Sequence, residues 1–142
     1  NEIPEFLNKN HKFKLGIPNQ IIRGSKKLII SSGAMVYNCL EAIKKLNSNE
    51  YGLLNISSLK PLNKMSVTKV LKKYKKVITV EDHSSLGGLG SIISEIVAEN
   101  NLDLKFKIHG LKNGFIDSDI PKELEKKYKM DVNSLTKIFK NF

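Results

Sequence analysis

The sequence is poor in the residues that mark extracellular, membrane-spanning or base-reading proteins. It has one cysteine, Cys39, and no tryptophan. A lone cysteine forms no internal disulfide, and Cys39 lies in an apolar stripe, so a reduced, cytoplasmic setting and a packing role are expected. No apolar run approaches the ~20 residues a membrane helix needs. Arg23 is the one arginine among 24 basic residues, so the planar forks that read bases and clamp phosphates are nearly missing. The formal charge of +10 raises nucleic acid or an acidic membrane surface as partners, yet the cations are almost all lysine and read better as solvated faces. The opening residues lack the cationic start and apolar centre of a secretory signal. The missing initiator methionine suggests a fragment.

What is present is the alternation of an α/β domain. At 142 residues one core is expected, burying about 70% of the surface of the unfolded chain. Residues 1–18 carry Pro4, Gly16 and Pro18 without sustained periodicity and read as a linker or arm, which leaves 19–142 as the folded domain. Short apolar runs then alternate with helical patterns: KLIIS before residues 34–46, GLLNIS before 64–75, KVITVE before 88–100, and LKFKIHG before two helices. This order predicts a largely parallel sheet. The clearest stripe is Leu89, Ile92, Ile93, Ile96 and Val97, at i, i+3, i+4, i+7 and i+8. VITV is apolar on both faces and reads as central, whereas Leu104, Phe106 and Ile108 alternate with lysines and read as nearer an edge. Ser118 or Asp119 is placed as a helix cap with Pro121 in the first turn, and Asp131 caps a last helix whose Leu135, Ile138, Phe139 and Phe142 share a face.

In a parallel sheet the segments SSGAM, SSLKPLN, EDHSSLGGLG and HGLKNGF leave the carboxyl ends of strands and line one edge, where α/β proteins tend to bind ligands. The candidate site is therefore the turn formed by Glu81, Asp82, His83, Gly87, Gly88, Gly90 and Ser91. Its glycines suit a phosphate at a helix N-terminus. They suit equally a positive-φ turn or a close helix–sheet approach, and that structural reading is favoured. GGLG is not a dinucleotide fingerprint, and no P-loop occurs. Glu81, Asp82 and His83 are consecutive, so their side chains diverge at a strand end and do not make a ready triad. His83 and His109 share the edge but lack a third metal ligand, and His11 lies in the arm.

Four segments in register resemble the C-terminal domain of transketolase-type, thiamine diphosphate-dependent enzymes: SSGAMVYNCLEAIKKL, ISSLKPLN, VITVEDHSSLGGLGSIISEIV and HGLKNGFIDSDIPKELEKKYKMDVNSL. The resemblance covers residues 13–140 and is most similar to transketolases, including split forms whose C-terminal half is a separate subunit. Deoxyxylulose-phosphate synthase and the beta subunits of 2-oxoacid dehydrogenases are the related alternatives. Asn63 stands where the family usually has aspartate, and still serves as a helix cap.

The resemblance implies a three-layer α/β/α fold on a five-stranded, mostly parallel sheet, with a strand around NQIIRGS as its antiparallel member. It further implies that thiamine diphosphate and magnesium are bound by upstream pyrophosphate- and pyrimidine-binding domains, or by a partner subunit, and that the complete enzyme is a homodimer. This length leaves no room for those domains. No catalytic, cofactor or metal residue carries over, and the isolated domain is expected to be inactive. The candidate turn is then an assembly element facing the preceding domain or a second subunit. A freestanding basic module that binds nucleotides or nucleic acid is the rival of a different class.

Overall fold

The structure is a computed structural model that describes residues 13–111 and 121–142. Five strands form one sheet: β1 (Asn19–Ile22), β2 (Lys27–Ser31), β3 (Tyr51–Asn55), β4 (Lys76–Ser84) and β5 (Lys105–Leu111), in the order β1-β3-β2-β4-β5. The pairs β2–β3, β2–β4 and β4–β5 are parallel, and β1 runs antiparallel to β3. The expected mostly parallel, five-stranded sheet is thus present, with NQII as its reversed member. The helices are α1 (Met35–Leu46), α2 (Lys64–Leu71), α3 (Leu89–Glu99), α4 (Pro121–Lys127) and α5 (Val132–Asn141).

Strand side chains alternate between faces, so each interior strand feeds two cores. Ile29, Leu53, Ile78 and Val80 pack under α1 and α5, against Met35, Cys39, Ile43, Leu135 and Phe139. Leu28, Ile30, Leu54 and Val77 pack on the opposite face under α2 and α3, against Val67, Leu71, Leu89, Ile93 and Ile96. Helices therefore cover both faces, giving three layers. Cys39 is fully buried in the first core, and burial pushes its thiol up to about 12 against the opposing effect of a hydrogen bond with Ser31.

The expectations hold in outline and shift in detail. The stripe on α3 buries Leu89, Ile93 and Ile96 and half-buries Ile92 and Val97. VITV lies inside the sheet between β2 and β5, and β5 is an edge strand on which Ile108 is exposed. The second helix is shorter than its stripe suggested, ending at Leu71 and not 75. Tyr74 is buried just beyond it, and its hydroxyl accepts hydrogen bonds from Gln20 Nε2 (2.8 Å) and Gly24 N (3.2 Å), which tie β1 to the sheet. Asn63 caps α2 by accepting from Ser66 N at 2.8 Å, and Asp131 caps α5 by accepting from Asn133 N and Ser134 N. Pro121 opens α4, whereas Ser118, Asp119 and His11 lie outside the described residues.

The connections set up the site. The chain leaves β2 toward β3 through α1 on one face, and leaves β4 toward β5 through α3 on the other. The strand order reverses between β2 and β4, the place where α/β sheets open a crevice at their carboxyl edge. The turn after β4 stands there.

Candidate functional site

β4 continues further than its apolar run, through Ser84, so Asp82 and His83 belong to the strand and not to a loop. The extension is held by a register shift between Val80 and Ser84, which brings Ser84 opposite Leu111, and by Ser85 N donating to Leu111 O at 2.9 Å. Polar residues extend the strand because β5 runs alongside to supply the ladder, information that the hydrophobic pattern of β4 does not contain.

The extended strand separates the acid pair. Glu81 points inward and is 3% exposed. Its two carboxylate oxygens accept from the first amides of α3, Oε2 from Leu89 N at 2.7 Å and Oε1 from Gly90 N at 2.9 Å. The residue before α3 is Gly88, which has no side chain to cap with, and the first turn of the helix contains no acidic residue. The open N–H groups and the positive end of the helix dipole are therefore met by a carboxylate delivered from the neighbouring strand. Asp82 and His83 lie at the surface, and Asp82 Oδ1 stands 2.6 Å from His83 Nδ1. With the carboxylate accepting, Nδ1 is the donor, so the neutral ring presents Nε2 outward as an acceptor.

The glycines follow from the position of Glu81. A Cβ on Gly88 would collide with Glu81 Oε2 and come within 3.0 Å of Ser84 O. One on Gly90 would lie 2.5 Å from Ile108 Cγ2 and 3.0 Å from Glu81 Oε1. The positive φ belongs to Gly87, at 75°. The turn thus needs both of the structural features weighed for it, at different residues. Ser91 braces it from within: its hydroxyl accepts from Gly87 N at 2.9 Å and donates to Ser85 O at 3.3 Å. Leu86 projects from the braced tip, 65% exposed.

The seven candidate residues therefore lie together where β4 passes into α3, but in different roles. Glu81, Gly87, Gly88, Gly90 and Ser91 build the passage; Asp82 and His83, with Leu86, face outward. His83 and His109 have separate partners: His83 Nδ1 donates to Asp82, and His109 Nε2 donates to the Lys129 carbonyl at 3.1 Å. Burial holds the His109 imidazole below its ordinary value, opposed by that carbonyl and aided by Lys107 and Lys129. Sequence reasoning missed Leu86 and Gly110, where an added Cβ would lie 3.1 Å from Glu81 Cγ. A histidine–glycine pair at the end of the adjacent strand was the available signal for Gly110. Among the described residues, no group of three or more His, Cys, Asp or Glu side chains is arranged to hold a metal ion, and none of their helices is long and apolar enough to cross a membrane.

Comparison with known proteins places this geometry. The family described as "Transketolase, C-terminal domain" matches residues 19–135. The chain belongs to the transketolase C-terminal domain family. It is 28% identical over 137 residues to a subunit of the apulose-4-phosphate transketolase of Actinobacillus succinogenes, covering 94% of this chain and 44% of that protein. It is 34% identical over 128 residues to a putative transketolase C-terminal section of Methanocaldococcus jannaschii, covering 88% and 39%. A 1-deoxy-D-xylulose-5-phosphate synthase of Halothermothrix orenii is 36% identical over 115 residues, covering 79% and 18%. The solved structure "Split gene transketolase, inactive beta4 tetramer" superposes with a TM-score of 0.86 at 25% identity, covering 98% of this chain and 46% of that one. The chain spans less than half the length of each of these proteins. In this transketolase C-terminal domain the glycine turn is built around an internal carboxylate.

Proposed function

We propose that this chain is the C-terminal assembly domain of a transketolase-type transferase that moves two-carbon ketol units between sugar phosphates. The observation that carries the reading is Glu81: its carboxylate takes the Leu89 and Gly90 amides, which are the groups a phosphate would need. The residues here do not fit a diphosphate with magnesium. A guest anion would have to displace a buried carboxylate, and no cluster of metal-ligating side chains accompanies the turn among the described residues. Thiamine diphosphate and magnesium belong in this reading to upstream domains or a partner subunit, with the complete enzyme a homodimer in a reducing cytoplasm. The buried, weakly acidic Cys39 thiol is compatible with that setting. Left to the turn is presentation of Asp82, His83 and Leu86 to a neighbouring domain or subunit.

Co-expression with the upstream domains, thiamine diphosphate and magnesium tests this directly. The assembled enzyme is expected to transfer ketol units, and His83→Ala with Leu86→Ser is expected to weaken assembly while the domain keeps its fold. An assembled complex without turnover, or a double variant that assembles as tightly as the parent, would remove the proposal. The 36% identity to a deoxyxylulose-phosphate synthase supports a second reading, in which the same assembly forms deoxyxylulose phosphate. Product analysis on the one complex separates the two.

A further inference from the structure

Two helices start beside the point where the strand order reverses, α1 after β2 on one face of the sheet and α3 after β4 on the other. Glu81 meets the start of α3. No side chain does the same for α1. Ala34, the residue before it, makes no cap, and the first turn carries no acidic residue, so a helix of 12 residues keeps the positive partial charge of its amino end. Among the described residues the amides of Gly33, Ala34 and Met35 donate no hydrogen bond. Gly33 is left-handed at φ 58°, and Ala34 right-handed at φ −61° and ψ −32°, a succession that turns neighbouring N–H groups toward one point.

A second, independent feature lies beneath that point. Asn55 ends β3 in register with Ser31, the last residue of β2, and Ile56 N donates to Ser31 O at 2.9 Å just beyond. Alternation puts Asn55 on the face of Leu53, which packs under α1. Its side chain therefore stands at the carboxyl end of β3, directed at the first turn of that helix. Asn55 is 7% exposed; its Nδ2 donates to Ser57 Oγ at 3.1 Å, and its Oδ1 is buried with no partner in the protein. Buried polar atoms are nearly always hydrogen-bonded. Unpaired donors above and an unpaired carboxamide below are satisfied together by one shared polar partner.

The chemistry of that partner follows from the donors. It accepts from several amides at once and carries the charge that a helix amino end favours, which describes a phosphate group. Gly33 and Ala34 are exposed, and a Cβ on Gly33 would meet no atom within 4 Å, so the approach is open on the outer side. Asn55 adapts without losing its bond to Ser57. With the carboxamide turned over, Ser57 Oγ donates to Oδ1, and Nδ2 becomes a further donor to the anion.

We propose that the start of α1 binds a phosphate group, free or as a monoester, through the Gly33, Ala34 and Met35 amides and the Asn55 carboxamide. The site lies on the opposite face of the sheet from α3 and stands independently of the assembly reading above.

NMR titration of the isotope-labelled chain with inorganic phosphate and, separately, with glycerol phosphate tests it, read at the three amides and at the Asn55 side-chain NH2. Saturable shifts are expected at these groups, and the tighter of the two ligands tells whether free phosphate or an ester is preferred. Asn55→Asp sets a carboxylate under α1 as Glu81 stands under α3, and should weaken binding by ~10-fold or more by occupying the amides and repelling the anion. Ala34→Asp brings the same charge to an exposed position, where the core is untouched, and decides the matter if the buried variant fails to fold. Shifts no larger than those caused by sodium chloride at equal ionic strength would overturn the proposal. Shifts that survive at full affinity in a folded variant would show an adventitious ion only, and overturn it as well.

Discussion

At the carboxyl edge of the sheet, oxygen acceptors meet the starts of three helices: Asn63 on α2, Glu81 on α3 and Asp131 on α5. At the amino edge helices end, and lysines meet them. Lys27 Nζ donates to the carbonyls of Phe139 (3.0 Å) and Lys140 (3.3 Å), and Lys76 Nζ donates to Phe142 O at 2.8 Å. Lys44 and Lys45 fall in the last turn of α1, and Lys26 and Lys75 pair with Glu50 and Asp103 at the same edge. The difference follows from the helix dipole and its unpaired end groups, positive N–H at one end and negative carbonyl at the other. Part of the lysine excess therefore has a local purpose and is not evidence of a polyanion partner. The edges also differ in burial at one helix, since the Glu81 contacts to α3 are fully buried while those of Lys27 and Lys76 are at most half-buried. Damage at the carboxyl edge should be the more severe.

The sharpest test of that contrast is Gly88→Val. It drives a branched side chain into Glu81 and the Ser84 carbonyl, and is expected to lower stability by about 2–4 kcal/mol, read as a depressed melting temperature. The cause is checked by a cycle with Glu81→Ala: with the carboxylate removed, valine should cost less, and strict additivity would show that the two do not meet. Glu81→Gln comes next. A carboxamide places an NH2 against one of two backbone donors, so about 1–2 kcal/mol should be lost by denaturant melting despite the matched shape.

On the other edge, Lys27→Met should cost only about 0.5–1 kcal/mol, because the half-buried charge keeps access to solvent and the methionine keeps much of the stem's packing. A loss as large as that of Gly88→Val would erase the contrast between the edges. The smallest effect is the pH dependence of Asp131. Burial pushes its carboxyl up, but hydrogen bonds from the Ser134 side chain and the Ser134 and Asn133 amides outweigh that and hold it below its ordinary value. Its stabilising contribution is therefore complete above the unfolded value, about 3.9, and is lost as pH falls through the lower folded value. Asp131→Asn should flatten the acid limb of the stability curve there and leave its neutral part nearly parallel to the parent's.

Much of this fold was legible beforehand because its signals are local. The stripe from Leu89 to Val97, the alternation on β5 and the caps at Asn63 and Asp131 each depend on residues within a few positions of one another. The candidate turn was legible as a unit but not in its parts. EDH shows three polar residues in a row, and their directions depend on whether β4 stops at Glu81 or continues. The continuation depends on Leu111, which pairs with Ser84 from 27 positions away. The helical pattern over 64–75 overran α2 for a similar reason: Tyr74 lies beyond the helix end, with its hydroxyl held by Gln20 and Gly24.

The sequence by itself determined the order and kind of elements, the α/β class and the family, since periodicity and short motifs survive without knowledge of distant contacts. Only the tertiary structure decided that Glu81 serves as the internal anion of α3 while its neighbours face outward, and that the Tyr74 hydroxyl holds Gln20 and Gly24. Both depend on which strands lie side by side. Pairing across the sheet is a long-range choice, made by packing both faces at once, and no window of neighbouring residues contains it.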